Sequence, residues 1–421
     1  MSDNPAAITP ASERPWRWVI IALIFFGTLI NYIDRQTISV LGPVVRHDLG
    51  LSNTQYGLIG TVFLFTYALS MWLWGAVFDR LGNRLGFSIA IVIWSVSELG
   101  HAFARGLGSL SFVRGSLGIG EAGNWPGATR TIAEWFPARQ RALAMGIANT
   151  GASIGPAIAP PIIVWLQLSY GWKTAFIATG ILGFIWLVAW LALYPGKVAP
   201  APGEIEIQPQ AGSARVPWPV LFRRREVWGI ILARFFGDPI WWLYLNWLAN
   251  YLFDVRHFSL AKIGLSASLP FFVAGLGAMS GGWLSSFLIH RGWSVNAARK
   301  TAIVIATVLM PAGVFGAYTE SPYVALACFS LTLFAFQFWV STVQTLPSDF
   351  FPVGAVGSIA GFAGTAAGLG AMIFTFCTGW VVDHFSYTPI LITAGLLGPI
   401  ATITLFLFIG RIRSLEIPSH A

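Results

Sequence analysis

Long apolar runs alternate with short polar breaks along nearly the whole chain. A helix needs about 20 mostly apolar residues to cross a bilayer, and charged residues, prolines and glycine clusters separate twelve runs of this kind. The predicted spans are residues 17–41, 53–77, 85–105, 108–134, 140–166, 173–194, 227–253, 260–288, 299–318, 322–346, 354–381 and 387–410. The pattern predicts an all-α membrane protein with twelve transmembrane helices.

One long polar stretch divides these spans into two sets of six. Residues 195–226 are rich in Pro, Ala and Gly and end in a basic run, which is typical of a linker. We therefore predict an N-terminal six-helix bundle over 1–194, a cytoplasmic linker over 195–226 and a C-terminal six-helix bundle over 227–421.

An internal repeat supports this division. Phe-Pro pairs at 136–137 and 351–352 stand 215 residues apart, and two pairs of glycines repeat at the same offset. A single match means little where glycine is common, but a shared offset favours two parallel halves. Such halves are typical of secondary transporters, in which the substrate site lies between them near the bilayer midplane.

The composition excludes an ordinary soluble domain and offers no enzyme motif. Of the 421 residues, 56% are hydrophobic and 10% charged, whereas soluble domains carry roughly 25% charged residues. The first fifteen residues contain no apolar run, so we expect the first span to be retained and not cleaved as a signal peptide. No GxSxG, Walker or HExxH motif is present, and neither Cys328 nor Cys377 has metal-site or disulfide spacing. We expect no enzyme activity, no cofactor and no metal.

The basic residues predict the orientation. If both termini are cytoplasmic, the loops on that side hold sixteen Lys and Arg residues and the opposite side holds five, as the positive-inside rule requires. Basic loops beside anionic lipid also account for the net charge of +8 without a nucleic-acid partner.

Ionisable residues inside the spans are the strongest candidates for function, because each costs a few kcal/mol or more at the bilayer centre. Asp34 and Arg35 lie in the first span, and Arg114 and Glu121 lie two turns apart on one face of the fourth. That spacing, about 10 Å along the axis, is too long for direct pairing, so each needs partners on another helix or in water. The alternatives are a span end that reaches the headgroups and a purely structural ion network.

The fourth span is also rich in glycine, which allows neighbouring helices to approach closely. Pro126 is expected to break the helical hydrogen-bond ladder near this point. The glycines are Gly115, Gly118, Gly120, Gly123 and Gly127.

The seventh span opens with a charged pair and continues with aromatic residues. Arg234 and Asp238 can pair on one helix face, as a gate, a part of the site or a structural pair, and Pro239 allows a kink. Aromatic side chains with polar tips suit a sugar-like ligand, although an interfacial aromatic belt is the alternative, above all for the tryptophans at 241 and 242. The candidates for substrate binding are Trp241, Tyr244, Asn246 and Trp247.

Other spans contribute weaker candidates. Gln337 and Gln344 lie two turns apart on one face of the tenth span, and Tyr32 and Tyr67 lie in the first and second. A hydroxylated ligand would satisfy buried amides, although polar groups of another helix would do so equally well. Glu98 lies near the outer end of the third span and is expected to reach the interface.

Several motifs resemble a known superfamily and one of its families. GAVFDRLGNR at 75–84 is similar to the loop signature of the major facilitator superfamily, in which Asp79, Arg80 and Arg84 would latch the cytoplasmic side. NYIDR at 31–35 and EWFPARQRALAMG at 134–146, with the spacing from Arg to Glu in the fourth span, resemble the anion:cation symporter family. That family includes bacterial hexuronate and galactonate transporters, sialin and the vesicular glutamate carriers. The resemblance covers nearly the whole chain, and RFFGDPIWWLYLNWL at 234–248 is closest to the hexuronate-transporter branch.

The resemblance implies roles for the charged residues. Asp34 and Glu121 would couple transport to protons, and Arg35 and Arg114 would bind the substrate carboxylate. The implied function is proton-coupled symport of a carboxylate sugar acid, a hexuronate such as glucuronate or galacturonate, by alternating access. Its partners would be the organic anion, protons and the lipid bilayer, and we expect a monomer in a bacterial-type inner membrane.

Several alternatives remain open. Ala152 and Gly364 stand where the galactonate carriers have Gln and Asn, which argues against galactonate itself but not against the sugar-acid class. Symport of another organic anion, an aldonate or an aldarate, is the first alternative. Efflux by an antiporter is the second, because residues 151–156 partly resemble the Gly-Pro motif of antiporters. A nutrient sensor and an intramembrane enzyme are more distant.

Overall fold

A computed structural model describes residues 16–136, 138–195, 217–351 and 353–413. The regular structure within these ranges is helical, which confirms the predicted all-α class, and residues 196–216 of the predicted linker lie outside them. The helices are α1 (Trp16–Leu49), α2 (Asn53–His101), α3 (Leu107–Glu121), α4 (Asn124–Trp135), α5 (Ala138–Tyr170), α6 (Trp172–Leu193), α7 (Trp218–Phe222), α8 (Arg225–Gly237), α9 (Pro239–Asp254), α10 (Leu260–Ser266), α11 (Ser268–His290), α12 (Val295–Leu309), α13 (Ala312–Tyr318), α14 (Pro322–Val343), α15 (Leu346–Phe350), α16 (Val353–His384) and α17 (Thr388–Phe408).

Each of the twelve predicted spans coincides with helix over most of its length. Among the described residues, eight helical stretches are long and apolar enough to cross a membrane, and the two arms of α2, Asn53–Met71 and Leu73–His101, pass the same test together and meet at an angle of 58°. α2 holds the second and third predicted spans, on either side of Gly82, whose φ of 75° and ψ of 172° lie outside the helical region. A positive φ favours glycine because glycine has no Cβ. The fourth span corresponds to α3 and α4, and the seventh to α8 and α9.

Prolines explain two helix breaks, whereas a third proline lies inside a continuous helix. α3 ends at Glu121 and α4 begins three residues later, just before Pro126, as predicted. α9 begins at Pro239, where the missing N–H costs nothing. The first span was predicted to end at residue 41, but α1 continues through Pro43 to Leu49.

The helices pack in a repeating plan. We call α1–α6 the N-half and α7–α17 the C-half. α1 packs against α5 and α2 against α3 in the N-half, while α8 packs against α16 and α11 against α14 in the C-half. The halves meet where α2 packs against α16, α5 against α11 and α1 against α9. In terms of spans, the second contacts the eleventh and the fifth contacts the eighth. In the predicted repeat the second span corresponds to the eighth and the fifth to the eleventh, so these two contacts are equivalent.

Glycines place α3 directly against α2. A Cβ built on Gly118 would lie 2.6 Å from the carbonyl oxygen of Phe63, and one built on Gly120 would lie 2.6 Å from the backbone nitrogen of Trp94. No larger residue fits at such distances, so the predicted close approach is confirmed. It brings the charged side chains of α3 into the interior of the N-half.

Candidate functional site

Five ionisable side chains are buried together in the N-half. Asp34, Glu98 and Glu121 are fully buried, and Arg35 and Arg114 are 2% and 3% exposed. They come from α1, α2 and α3, and we call them the charge cluster. The alternative that Asp34 and Arg35 reach the headgroups is therefore excluded. The expectation that Glu98 reaches the interface is wrong, because its side chain is fully buried and accepts a hydrogen bond from Thr179 of α6 at 3.0 Å.

Arg35 forms the ion pair at the centre of the cluster. Its Nε donates to Oε2 of Glu121 at 2.6 Å, so Glu121 finds its partner on another helix, as predicted. The guanidinium also lies over the rings of Tyr32, at 4.8 Å, and Tyr67, at 4.7 Å. Such contacts stabilise a cation where water is excluded.

Trp242 brings the C-half to this arginine. The guanidinium of Arg35 lies 5.7 Å from the centre of the Trp242 ring, and this contact crosses between the halves. Trp242 was not among the predicted site residues. It belongs to the aromatic run of the seventh span, but that run alone does not show which ring faces the N-half, because this depends on the phase of the helix.

Arg114 lies at the boundary between the halves. Its guanidinium is 4.6 Å from the ring centre of Phe63, and Nε and Nη1 have no hydrogen-bond partner among the described residues. It borders a small cavity that residues of both halves line. The lining residues are Ile38, Tyr56, Ile59, Gly60, Arg114, Asn246, Trp247 and Thr375. A buried cation with free donors is suited to bind an anion.

Asp34 is the least satisfied carboxyl of the cluster. Neither of its oxygens accepts a hydrogen bond from any described group. Its charged neighbours are Glu98 and Glu121, which repel its negative charge, and Arg114 and Arg35, which attract it. A carboxyl between these opposing influences is suited to gain and lose a proton as its surroundings change.

Two of the candidates from the seventh span lie at the cavity. Asn246 is half-buried, and its backbone carbonyl oxygen lies 3.4 Å from the Tyr56 hydroxyl, whose shorter hydrogen bond, at 3.1 Å, is to the backbone carbonyl oxygen of Ile38. Trp247 packs edge-on against Tyr56 at 5.2 Å, and its Nε1 has no partner among the described residues. Tyr56 was missed by the sequence analysis because one tyrosine in an apolar run carries no distinguishing signal.

The other two candidates of this span belong to the core of the C-half. Trp241 packs against Phe271, at 5.6 Å, and Phe336, and Tyr244 packs against Phe329 at 5.3 Å. Trp241 is 9% exposed and Tyr244 is 1% exposed. An interfacial belt is therefore excluded for Trp241.

The glutamines of the tenth span differ in exposure. Gln337 is half-buried on α14, whereas Gln344 is exposed at the residue that follows its last turn. The premise that both amides are buried is wrong for Gln344, because α14 ends before it.

The Major Facilitator Superfamily sequence model matches residues 24–375. The chain belongs to this superfamily. The chain is 34% identical to the hexuronate transporter of Escherichia coli (strain K12) over 388 residues, which cover 89% of each chain. It is also 34% identical to the galacturonate transporter of Dickeya chrysanthemi, over 74% of this chain and 94% of that one. The protein is therefore an integral membrane transporter and not an enzyme.

A solved structure supports the superfamily fold. The crystal structure of a bacterial homologue of the human lysosomal transporter Spinster, in an inward-facing and unoccupied conformation, superposes with a TM-score of 0.77 at 19% identity. The match covers 94% of this chain and 97% of that one. It confirms the twelve-helix fold.

The superfamily loop motif makes its described contacts within the N-half. Asp79 accepts a hydrogen bond from Arg130, which also donates to Glu134 at 3.1 Å. Arg84 donates to the carbonyl oxygen of Leu191 at 2.8 Å, and Arg80 is exposed. These contacts tie the turn between the second and third spans to α4 and α6.

Arg234 and Asp238 form a bidentate pair on one helix face. Nε donates to Oδ2 at 2.5 Å and Nη2 donates to Oδ1 at 2.8 Å. Asp238 is 8% exposed. The predicted pairing is observed, and its donors and acceptors satisfy each other.

A set of polar contacts joins the halves at the end of the bundle where α1 ends and α2 begins. Arg46 of α1 donates to both carboxylate oxygens of Asp254 of α9, at 3.0 and 2.7 Å, and Tyr387 donates to the same carboxylate at 2.8 Å. Asp383 of α16 accepts from the backbone N–H of Thr54, at 2.6 Å, in the first turn of α2. We call these five residues the clamp. Sequence reasoning missed it because charges at span ends look like ordinary interface residues.

Proposed function

We propose that this transporter takes up a carboxylate sugar acid together with protons, and that its substrate is a hexuronate such as glucuronate or galacturonate. The observation that carries the proposal is the buried Arg35–Glu121 pair beside Arg114, which lines the cavity between the halves and whose Nε and Nη1 have no hydrogen-bond partner among the described residues. Arginine suits this task because its planar guanidinium binds a carboxylate through two parallel hydrogen bonds. The hexuronate and galacturonate transporters among its relatives support the choice of substrate.

Proton coupling follows from competition for the arginines. An ionised Glu121 occupies Arg35, and protonation of Glu121 removes the attraction and frees that guanidinium for the substrate carboxylate. Asp34 acts in the same way toward Arg114, which attracts it and whose Nε and Nη1 have no hydrogen-bond partner among the described residues. Substrate and proton therefore enter the N-half together.

The remaining candidates surround the sugar. Tyr32 and Tyr67 already lie over Arg35 and offer hydroxyl groups next to the carboxylate. Asn246 and Trp247 approach from the C-half and suit the ring hydroxyls and the apolar face of the sugar. Four further candidates lie outside the cavity lining and support the C-half wall: Trp241, Tyr244, Gln337 and Gln344.

The transport cycle alternates the open side of this cavity. Both termini and the linker lie in the cytoplasm of a bacterial-type cell, in its inner membrane, as the Lys and Arg bias requires. The clamp then closes the outer side. Asp79, Arg80 and Arg84 latch the cytoplasmic side in the opposite state, and the two halves rock about the fixed site.

Purified protein in liposomes tests this function. Uptake of labelled glucuronate, galacturonate, galactonate and glucarate is measured with the outside acidic, with no gradient and with a protonophore. We expect accumulation of the hexuronates with the outside acidic, and its loss with the protonophore. Preference for galactonate or glucarate would move the substrate to the aldonates or aldarates. Accumulation only with the inside acidic would contradict symport and favour an antiporter.

A further inference from the structure

Glu98 is a buried carboxyl that the coupling scheme above does not use. The charge cluster holds two arginines and three carboxyls, all 3% exposed or less. If all five were ionised, the cluster would carry one net negative charge in a region where an unbalanced charge is costly. One proton on a carboxyl makes the cluster neutral.

The contacts indicate where that proton resides. Arg35 and Glu121 balance each other in a direct pair. Arg114 is then left with two carboxyls, Asp34 and Glu98, each of which lies within its electrostatic reach. Asp34 and Glu98 are also neighbours of each other. The single positive charge of Arg114 therefore balances only one ionised carboxylate, and the other carboxyl is neutral.

Thr179 of α6 can serve Glu98 in both states. Its hydroxyl oxygen lies 3.0 Å from Oε1 of Glu98 and 3.1 Å from the carbonyl oxygen of Ala175. When Glu98 is ionised, the hydroxyl donates to it. When Glu98 is neutral, the hydroxyl donates to the Ala175 carbonyl and accepts from the carboxyl O–H. A hydroxyl with one hydrogen and two lone pairs permits this exchange without movement of the backbone.

The histidine beside Glu98 does not neutralise it. His101, one turn further along α2, has Nδ1 2.8 Å from the carbonyl oxygen of Ser97 and 3.7 Å from Oε2 of Glu98. The shorter contact directs the Nδ1 proton to the carbonyl, and Nε2 has no partner among the described residues. From α1, Asp34 and the hydroxyl of Thr37 face Glu98, and from α3 the neighbours are Arg114 and Glu121.

We propose that Glu98 is a second proton-binding site of the transport cycle and shares one proton with Asp34. When substrate enters, the shared proton moves to Glu121: an O–H bond breaks at Asp34 or Glu98 and another forms on Glu121, which releases Arg35. A proton from the open cavity then restores the shared one. One proton thus accompanies each monoanionic substrate, so the empty cluster is neutral and the cluster together with its bound anion is neutral as well. The inference rests on the proposed function.

Two variants of opposite expected effect test this site. Glu98→Gln keeps the shape and removes the third carboxyl, so the cluster is neutral without the shared proton. Loading it then requires a more acidic solution, and the half-maximal pH of exchange falls by about one unit, the usual effect of a removed neighbouring charge. Thr179→Val leaves the carboxyl but removes the donor to its ionised form, and the half-maximal pH rises by about half a unit.

The measurement is glucuronate counterflow in liposomes at equal pH on both sides, from pH 5 to 9, with Ser97→Ala as the matched control on the same helix. We expect the wild type and the control to share one profile, with the two test variants displaced in opposite directions. Profiles for both test variants that coincide with the wild type would overturn the inference while leaving the proposed function intact. A wild type that transports neither glucuronate nor galacturonate would overturn the proposed function and the inference with it.

Discussion

The N-half and the C-half share a packing plan but differ in the chemistry of their interiors. The N-half buries the charge cluster, in which Asp34, Arg114 and Glu121 each keep at least one polar atom without a hydrogen-bond partner among the described residues. In the C-half, Arg234 and Asp238 satisfy each other on one helix face. Within the part of the chain that the structure describes, the halves thus share a packing plan, and the buried charged groups with unsatisfied polar atoms lie in the N-half.

This difference suggests a division of labour. Unpaired buried charges respond strongly to protons and to an anionic ligand because little water screens them. Aromatic and amide groups, such as Trp247 and Asn246 at the cavity, respond to the shape and hydroxyl pattern of a ligand. We therefore expect N-half variants to affect binding and coupling, and C-half variants to affect selectivity.

The largest expected effect comes from the arginines. Arg35→Ala and Arg114→Ala should each lower hexuronate uptake by roughly 100-fold or more, because removal of one partner of a buried ionic contact costs about 3–5 kcal/mol. Lysine should rescue poorly since it lacks the bidentate fork. Initial uptake rates, normalised to the protein in the membrane, measure both effects.

Arg291→Ala is the matched control for these variants. Arg291 is exposed and lies over Phe287 at the surface of the C-half, so its loss removes the same charge without touching the cavity. We expect near-normal uptake. Normal uptake by Arg35→Ala or Arg114→Ala would remove that arginine from the site.

A smaller effect is expected at the clamp, which joins the halves without belonging to either interior. Asp254→Asn weakens the contact with Arg46. The two side chains are 28% and 11% exposed, respectively, so the equilibrium should shift toward the outward-open state by about 1 kcal/mol or less. A cysteine at Ile59, in a background with Cys328 and Cys377 replaced by serine, reports the shift. Its labelling by a membrane-impermeant maleimide from outside should accelerate about threefold to fivefold.

Asp349→Asn controls for the loss of a surface-end ion pair. Asp349 accepts from Arg299 at 2.9 Å, with both side chains about as buried as Arg46, but both belong to the C-half. Labelling at residue 59 should not change in this variant. Equal acceleration in both variants would mean that the clamp has no specific part in closing the outer side.

The smallest expected effect concerns the C-half wall. Asn246→Ala should change the ranking of sugar acids by a few-fold, the scale of one hydrogen bond at about 1 kcal/mol, while the accumulation ratio at a given proton gradient stays the same. Trp241→Phe and Gln344→Ala should act more weakly, since one packs in the core and the other is exposed. Competition assays with the four sugar acids measure the ranking. An unchanged ranking in the triple variant would reassign all three residues to packing.

The spans and the buried charges were predictable for related reasons. Hydropathy predicts helices wherever about 20 apolar residues occur, and the cost of charge in such a run singled out Asp34, Arg35, Arg114 and Glu121. The glycines of α3 predicted its close approach to another helix, and that approach is observed.

The rest depended on facts that a linear pattern does not contain. Glu98 lies near a span end, and its burial depends on how α1 and α6 pack there. Trp242 faces Arg35 because the helix break at Asp238 sets the phase of α9. Gln344 is exposed because α14 ends one residue earlier. Each outcome is decided by neighbours that are distant in sequence.

The most direct test of the account separates proton coupling from substrate binding in the N-half. Asp34→Asn and Glu121→Gln imitate the protonated carboxyls and keep a hydrogen-bond donor. In liposomes, uptake driven by a proton gradient is compared with counterflow in its absence. We predict that both variants lose accumulation against the substrate gradient and that at least one retains counterflow. Accumulation at wild-type levels by both variants would show that neither acid is the obligatory proton carrier and would contradict the central claim.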